Sequence, residues 1–212
     1  PLASIMGATT SLLLQRNKLT QQEQDRLLGS IVGESEYLTA VTENTLQLAR
    51  LSDATQIHRD WESMEEIVGA VLRRVRQRDP ERRIQSRVAP GLPLIRADPV
   101  LLAQLLENLL DNALKYSAEA IELEVKLDDD KLQVCIGDRG QGIAEADELT
   151  MFEPFRRSDR SGQRGVGLGL AVCRAIATAH DGVLTARLRP GGGTSMRLSL
   201  PVESAQPGPE LP

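Results

Sequence analysis

Leu27, Ile31, Glu34, Leu38, Val41, Thr45 and Leu48 follow one another in alternating steps of four and three. That spacing draws one stripe along a helix and fits a bundle seam. No proline falls between Leu2 and Asp53, so the whole segment reads as helical. Pro1 suits a first helical turn, and Leu2, Ile5, Met6, Leu12 and Leu13 supply apolar positions for a first helix. The polar stretch Gln15-Arg16-Asn17-Lys18 then leads to Thr20, with Glu23 three residues on as in a capping box. Two helices joined by a short turn cannot bury both apolar faces alone. Either a second copy completes a four-helix bundle, or the hairpin packs against the C-terminal part of its own chain. The seam favours the homodimer.

After Ser52-Asp53 the pattern changes. Ile57 to Trp61 reads as a short strand, and Met64 to Arg78 as an amphipathic helix that ends before Asp79-Pro80. Ile84 to Val88 and Leu94 to Ala97 read as strands on either side of the Pro90-Gly91 turn. Pro99 to Tyr116 is a strong helix. Ile121 to Leu127 and Leu132 to Asp138 alternate around Asp128-Asp129-Asp130, which predicts a hairpin. Leu168 to His180 is helical, and Val183 to Leu188 with Ser195 to Leu200 form a last strand pair around Pro190-Gly191-Gly192-Gly193. Hairpins mixed with helices predict a two-layer α/β sandwich, not a doubly wound parallel sheet. The division expected is a helical hairpin over 1–53, an α/β domain over 54–201, and a disordered tail over 202–212.

Composition narrows the function classes. A formal net charge of −5 argues against nucleic acid as the main partner, because neutralising phosphates needs a basic excess. No apolar run approaches the roughly 18 to 20 residues that cross a bilayer, and the start is not that of a secretory signal. Pro1 reads as the start of a piece cut from something longer. Cys135 and Cys173 lie far apart without CxxC spacing, so two small buried hydrophobes are expected in place of a disulfide or zinc.

Four segments can carry chemistry. In the helix over Pro99 to Tyr116, Asn108, Asn112 and Lys115 share one face, with Glu107 and Asp111 on a neighbouring row. Such a strip can hold magnesium and polyphosphate, or it can be a solvated face opposite Leu105, Leu106, Leu109 and Leu110. Asp138-Arg139-Gly140-Gln141-Gly142 directly follows a strand. Its carboxylate can accept from an exocyclic amine while the glycines leave room for a flat ring, although the same pattern also serves as a plain turn. Gly165-Val166-Gly167-Leu168-Gly169-Leu170 opens a helix, where freed N–H groups and the dipole stabilise oxyanions. Its glycine spacing is not that of a dinucleotide fingerprint. Gly191-Gly192-Gly193-Thr194 is by itself a tight turn. Between the second and third segments, Phe152-Glu153-Pro154-Phe155 leads into an arginine-rich stretch that reads as a mobile lid over an anion, with Phe152 and Phe155 anchoring its root.

The order and spacing of these segments resemble those of sensor histidine kinases. Asn108-Leu109-Leu110-Asp111-Asn112-Ala113 with Lys115-Tyr116 is similar to the N box, and Asp138-x-Gly140-x-Gly142 to the G1 box. Phe152-x-Pro154-Phe155 is similar to the F box, Gly165-x-Gly167-Leu168-Gly169-Leu170 to the G2 box, and Gly193-Thr194 to the last glycine turn. The resemblance covers about residues 55 to 200 and is strongest to potassium-responsive, KdpD-type members. It implies a Bergerat-type (GHKL) ATP-binding α/β sandwich behind a dimerising hairpin, with ATP and Mg2+ bound and a response-regulator receiver domain as partner. It implies as well the soluble, cytoplasmic part of a membrane-anchored protein.

The resemblance also implies roles. Asp138 would take the adenine amino group, with Gly140 and Gly142 shaping the ring slot and Thr194 lining it. Asn112 would ligate magnesium, Asn108 and Lys115 would contact the phosphates, and Tyr116 would cover adenine. Glu107, Asn108 and Lys115 form the expected catalytic group. Gly165, Gly167, Leu168 and Gly169 would hold the triphosphate, and one of Arg156, Arg157 and Arg160 would compensate γ-phosphate charge. Pro1-Leu2-Ala3-Ser4-Ile5 resembles the stretch just downstream of the phosphoacceptor histidine, which would then lie five residues before Pro1. His58 and His180 do not match that position and read as surface or structural. The chain is expected to bind ATP without phosphorylating itself. The same nucleotide fold serves ATP-hydrolysing topoisomerases, chaperones and mismatch-repair proteins, and a non-catalytic ATP-sensing dimerisation scaffold is a further alternative.

Overall fold

The computed structural model describes residues 1–15, 18–52, 57–144, 147–156 and 167–203. Helix α1 (Leu2–Gln15) and the long helix α2 (Gln21–Ser52) form a hairpin. The capping box at its turn is present in full. Thr20 N–H donates to Glu23 Oε2 at 2.8 Å, and Glu23 N–H donates back to Thr20 Oγ1 at 3.3 Å. Among the described residues of the pair, Ala8 is the buried hydrophobic one. Leu2, Met6, Leu13 and Leu14 on α1 and Leu28, Val32 and Leu46 on α2 are exposed by half or more.

The rest begins with strand β1 (Asp60–Glu62), helix α3 (Met64–Arg78), β2 (Ile84–Val88) and β3 (Ile95–Ala97). Helix α4 (Pro99–Tyr116) and the hairpin β4 (Ile121–Asp128) and β5 (Lys131–Gly137) come next. A one-turn 3-10 helix (Thr150–Phe152), helix α5 (Gly169–Ala179), β6 (Val183–Leu188) and β7 (Thr194–Pro201) complete it. Five strands form one mixed sheet in the order β2-β4-β5-β7-β6, in which only β2 and β4 run parallel. Every second residue of β4 (Ile121, Leu123, Val125) and of β7 (Met196, Leu198, Leu200) is buried, so one face packs under the helices. The two-layer reading and the helix limits over 64–78 and 99–116 agree with the structure.

Two strand readings shift. The first strand starts at Asp60, not Ile57, because its partner β3 offers only Ile95 to Ala97. The strands around Pro90-Gly91 do not belong together: β2 joins the large sheet, while β3 pairs with β1 in a separate antiparallel ribbon.

Helix ends are well determined by local chemistry. Asp98 caps α4 by accepting from the Val100 and Leu101 N–H groups at 3.0 and 3.1 Å, with Pro99 as the first helical residue. Ser63 caps α3, whose first turn carries Glu65 and Glu66 and whose last carries Arg76 and Arg78, each sign matching the helix dipole. Leu102, Leu105, Leu106, Leu109 and Leu110 of α4 are essentially inaccessible and meet α3 on one side and α5 on the other.

Helix α2 reaches this α/β unit with its C-terminal end. Leu48 and Leu51 pack on the core, and Gln47 and Gln104 exchange amide hydrogen bonds at 2.5 and 2.6 Å. The hairpin therefore contacts its own chain at one end; along α2 the seam residues Leu27, Ile31, Leu38 and Val41 are half-buried, and the exposed apolar residues are their neighbours Leu28, Val32 and Leu46. Among the described residues no helix is long and apolar enough to cross a membrane. The tail from residue 204 lies outside the described residues.

Candidate functional site

Asp138 follows the last residue of β5, where the strand leaves the sheet. Its N–H donates to the Thr194 carbonyl at 2.9 Å. Its Oδ1 accepts from Gly140 N–H at 2.8 Å and from Thr194 N–H at 3.2 Å. Two backbone donors therefore fix the rotamer of a carboxylate that is 7% exposed. No hydrogen bond within the described residues occupies Oδ2. A carboxylate held by one oxygen and open at the other is an acceptor of defined direction.

Two glycines allow this arrangement. A Cβ on Gly140 would run into the Tyr116 carbonyl, so the Asp138 loop can lie directly on the end of α4 only with glycine there. Gly193 has φ +92°, and a Cβ on it would strike the Asp138 carbonyl. The segments around 116, 138–140 and 193–194, far apart in sequence, are thus in atomic contact. Gly142, with φ +73°, lies against Gly193 and Leu188 in the same loop.

The C-terminal half of α4 runs up to this loop. Tyr116 is half exposed with Lys115 Nζ 5.3 Å from its ring centroid, a cation–π distance. Asn112 stands one turn earlier, about 6 Å along the axis, and Asn108 a turn before that. The Cys173 thiol of α5 donates to the Leu105 carbonyl of α4 at 3.7 Å, and burial pushes its pKa up to about 12, so the thiol is neutral. Leu168 is buried at the start of α5 beside Gly169.

The carboxylates of the polar strip point elsewhere. Arg74 Nε of α3 pairs with Glu107, and Arg78 pairs with Asp111. Both acids belong to the α3–α4 seam, and the strip expected to combine two amides, two acids and lysine is divided between two faces of α4. Desolvation raises the Asp111 pKa despite Arg78, and the nearby Glu107 charge adds to the rise.

At the other end, Phe152 is buried, and Phe155 N–H donates to the Gly167 carbonyl at 2.9 Å. That bond closes the base of the arginine-rich segment. Phe155 itself is 66% exposed at φ +62°, so Phe152 alone anchors the root; the backbone turn after Pro154 carries the second ring outward. Arg156 lies 4.0 Å from Asp147. Gly165, Arg157 and Arg160 lie outside the described residues.

Both histidines are placed. His58 is 94% exposed at its side chain. His180 is buried: its Nε2 accepts from the Asp98 N–H at 3.0 Å, and its Nδ1 lies 2.8 Å from the Ile176 carbonyl. This fixes the neutral tautomer with hydrogen on Nδ1, and burial lowers its pKa. Cys173 is a buried small hydrophobe as expected, whereas Cys135 is only half-buried, because residue 135 points to the open face of the sheet.

Sequence reading missed two residues. Ser117 caps α4, and its Oγ accepts from the Arg139 N–H at 3.3 Å, tying helix end to loop. Arg189 donates to the Asp138 carbonyl at 3.1 Å. A serine after a helix and an arginine before Pro-Gly-Gly-Gly carry no spacing signal; only the fold brings them to Asp138.

Residues 97–204 match the family model described as histidine kinase-, DNA gyrase B- and HSP90-like ATPase. Over 209 residues the chain is 32% identical to the sensor protein KdpD of Clostridium acetobutylicum, covering 96% of this chain and 23% of that protein. Over 181 residues it is 36% identical to KdpD of Escherichia coli, covering 82% and 19%. It thus spans a quarter or less of these relatives. Among solved structures it is similar to full-length ShkA in complex with AMPPNP, with TM-score 0.72, 26% identity, and coverage of 97% of this chain and 44% of that one. The histidine kinase AdeS of Acinetobacter baumannii shares the fold at TM-score 0.74, 21% identity and 96% coverage of both chains.

Proposed function

The chain belongs to the family of histidine kinase-, DNA gyrase B- and HSP90-like ATPases, and on that basis we propose that it is the ATP-binding catalytic part of a sensor histidine kinase. The observation that carries this reading is the convergence on Asp138. One carboxylate oxygen accepts from Gly140 and Thr194, among the described residues the other carries no hydrogen bond, and the glycine loop lies against the end of α4.

Asp138 Oδ2 accepts the exocyclic amine of adenine, a donor that guanine does not offer at that position. Gly140, Gly142 and Thr194 border the ring, and Tyr116 covers it. Asn108 and Lys115 contact the phosphates, Gly165, Gly167, Leu168 and Gly169 hold them from the start of α5, and Arg156 belongs to the lid that balances their charge. Glu107, taken up by Arg74, serves by fixing α4 against α3. Catalysis is then positioning and charge stabilisation.

The donor set suits magnesium. Among the described residues no group of three His, Cys, Asp or Glu side chains gathers, and the acids near Asn112 are paired with arginines. One carboxamide oxygen from Asn112 is the protein's share for an ion that takes its remaining ligands from phosphate and water. When bound, the ion neutralises phosphate charge.

The γ-phosphoryl group passes to a histidine of a dimerisation hairpin and then to an aspartate of a response-regulator receiver domain, in the cytoplasm. His180, buried with both ring nitrogens engaged, is not the acceptor, and His58 stands outside the hairpin. The stripe of Leu2, Met6, Leu13, Leu28 and Val32 is the surface that a second copy covers to complete a four-helix bundle. The test is labelled Mg-ATP with a separately supplied hairpin that bears the acceptor histidine. Acid-labile label on that hairpin is expected. Nucleotide binding with no phosphohistidine would favour the ATP-sensing scaffold instead.

A further inference from the structure

The side chain of Arg189 sits at the end of β6 yet reaches back across the sheet to the residue proposed to read adenine. Its Nη1 donates to the Asp138 carbonyl at 3.1 Å and its Nη2 to Glu122 Oε2 of β4 at 2.8 Å. It is 15% exposed, against 50% for Glu122. The guanidinium lies where a side chain of residue 137 would be: a Cβ on Gly137 would stand 2.6 Å from Nη1. The glycine at the end of β5 therefore makes room for the arginine. The backbone of Arg189 is engaged as well. Its N–H donates to the Gly193 carbonyl at 3.0 Å, and its carbonyl accepts from the Gly192 N–H at 3.1 Å, closing the turn that presents Thr194. Arg139 brackets the assembly, donating to the Pro190 carbonyl at 3.0 Å and lying 3.9 Å from Glu122.

Resting on the assignment of Asp138 to adenine, we propose that Arg189, held by Glu122, is a positioning residue that sets nucleotide base selectivity by fixing the Asp138 peptide from behind. It has two holds on the carboxylate. Through the 189–193 turn it places the Thr194 N–H that restrains Oδ1, and through its guanidinium it pins the Asp138 carbonyl. Neither contact touches the nucleotide. An exposed Arg–Glu pair alone contributes little, but a charged donor on a buried backbone carbonyl is among the stronger hydrogen bonds. Two acceptors 67 and 51 positions away in sequence need the two-pronged guanidinium, and lysine can satisfy only one of them.

The test is displacement of a fluorescent nucleotide from the chain by ATP and by GTP, with thermal melting of each variant. Arg189→Met is expected to weaken ATP about tenfold, the loss of one well-placed hydrogen bond, while GTP changes less than about twofold. Arg189→Lys is expected to fall between. Glu122→Gln, which keeps Arg189 but loosens its second prong, is expected to shift ATP in the same direction by about threefold, and it serves if Arg189→Met does not fold. Equal weakening of ATP and GTP would mean that Arg189 acts as a general positive charge on the phosphates, and unchanged ATP affinity in both variants would leave it a purely structural residue; either overturns the proposal. Failure of the Asp138 assignment itself looks different: the unaltered chain would then show no preference for ATP over GTP.

Discussion

At the scale of single residues, the Asp138 carboxylate separates binding from folding. Asp138→Asn retains an oxygen for the Gly140 and Thr194 N–H groups, so the loop should persist and the melting temperature move by no more than a few degrees. Calorimetric ATP affinity should nevertheless drop by roughly tenfold to a hundredfold, the range for a hydrogen bond to a charged group. His180 gives a second residue-scale prediction. Its folded pKa is lowered by burial below the unfolded value near 6.5. The neutral ring's stabilisation is therefore complete above that value and is lost as pH falls through the depressed folded one, when Nε2 gains a proton and the Asp98 N–H loses its acceptor. Thermal melts at neutral and mildly acidic pH should show this loss in the natural chain. His180→Leu should be less stable at neutral pH and show a shallower decline. Asp138 was legible in sequence because a strand end and two glycines flank it. Arg189 and Ser117 were not, because their role depends on a sheet register that links positions dozens of residues apart.

Elements carry the next set of effects. The capping box at Thr20 and the helices over 64–78 and 99–116 follow from local chemistry and are legible in the sequence, whereas the Asp98 cap ahead of Pro99 is seen in the structure. Pairing between elements was less accessible. Nothing local tells Ile84 to Val88 to lie parallel to β4, or Ile95 to Ala97 to join β1, because both choices depend on where α3 and α4 come to rest. The polar strip of α4 shows the same limit: a helical wheel groups Glu107 with Asn108, but only the position of α3 reveals that Arg74 takes the acid. Glu107→Gln should therefore leave ATP affinity within about twofold and cost less than about 1 kcal/mol of stability, as for a partly exposed ion pair. Were Glu107 a general base, the same variant would slow phosphotransfer by a hundredfold or more at unchanged ATP affinity. Comparing initial rates with the supplied hairpin decides between these roles.

For the whole molecule, the hairpin and the α/β unit meet through Leu48, Leu51 and the paired amides of Gln47 and Gln104, while the outer stripe of the hairpin stays open. The seam residues Leu27, Ile31, Leu38, Val41 and Leu48 are half-buried, and the surface proposed for a second copy is the exposed set that includes Leu28 and Val32. Sedimentation should find a dimer, and Leu28→Glu with Val32→Glu should yield a folded monomer that still binds ATP. A monomeric natural chain would remove the bundle from the account without touching the nucleotide site. The claim that everything else rests on is a single purine pocket assembled from distant stretches of chain. It is tested most directly by titrating Mg-ATP into isotope-labelled protein and following backbone amide resonances. Shifts are expected to concentrate in 108–116, 138–142, 167–170 and 191–194, and in Asp138→Asn all of them should need roughly tenfold to a hundredfold more nucleotide. Shifts confined to the hairpin, or persisting in that variant with the same pattern and affinity, would contradict that claim.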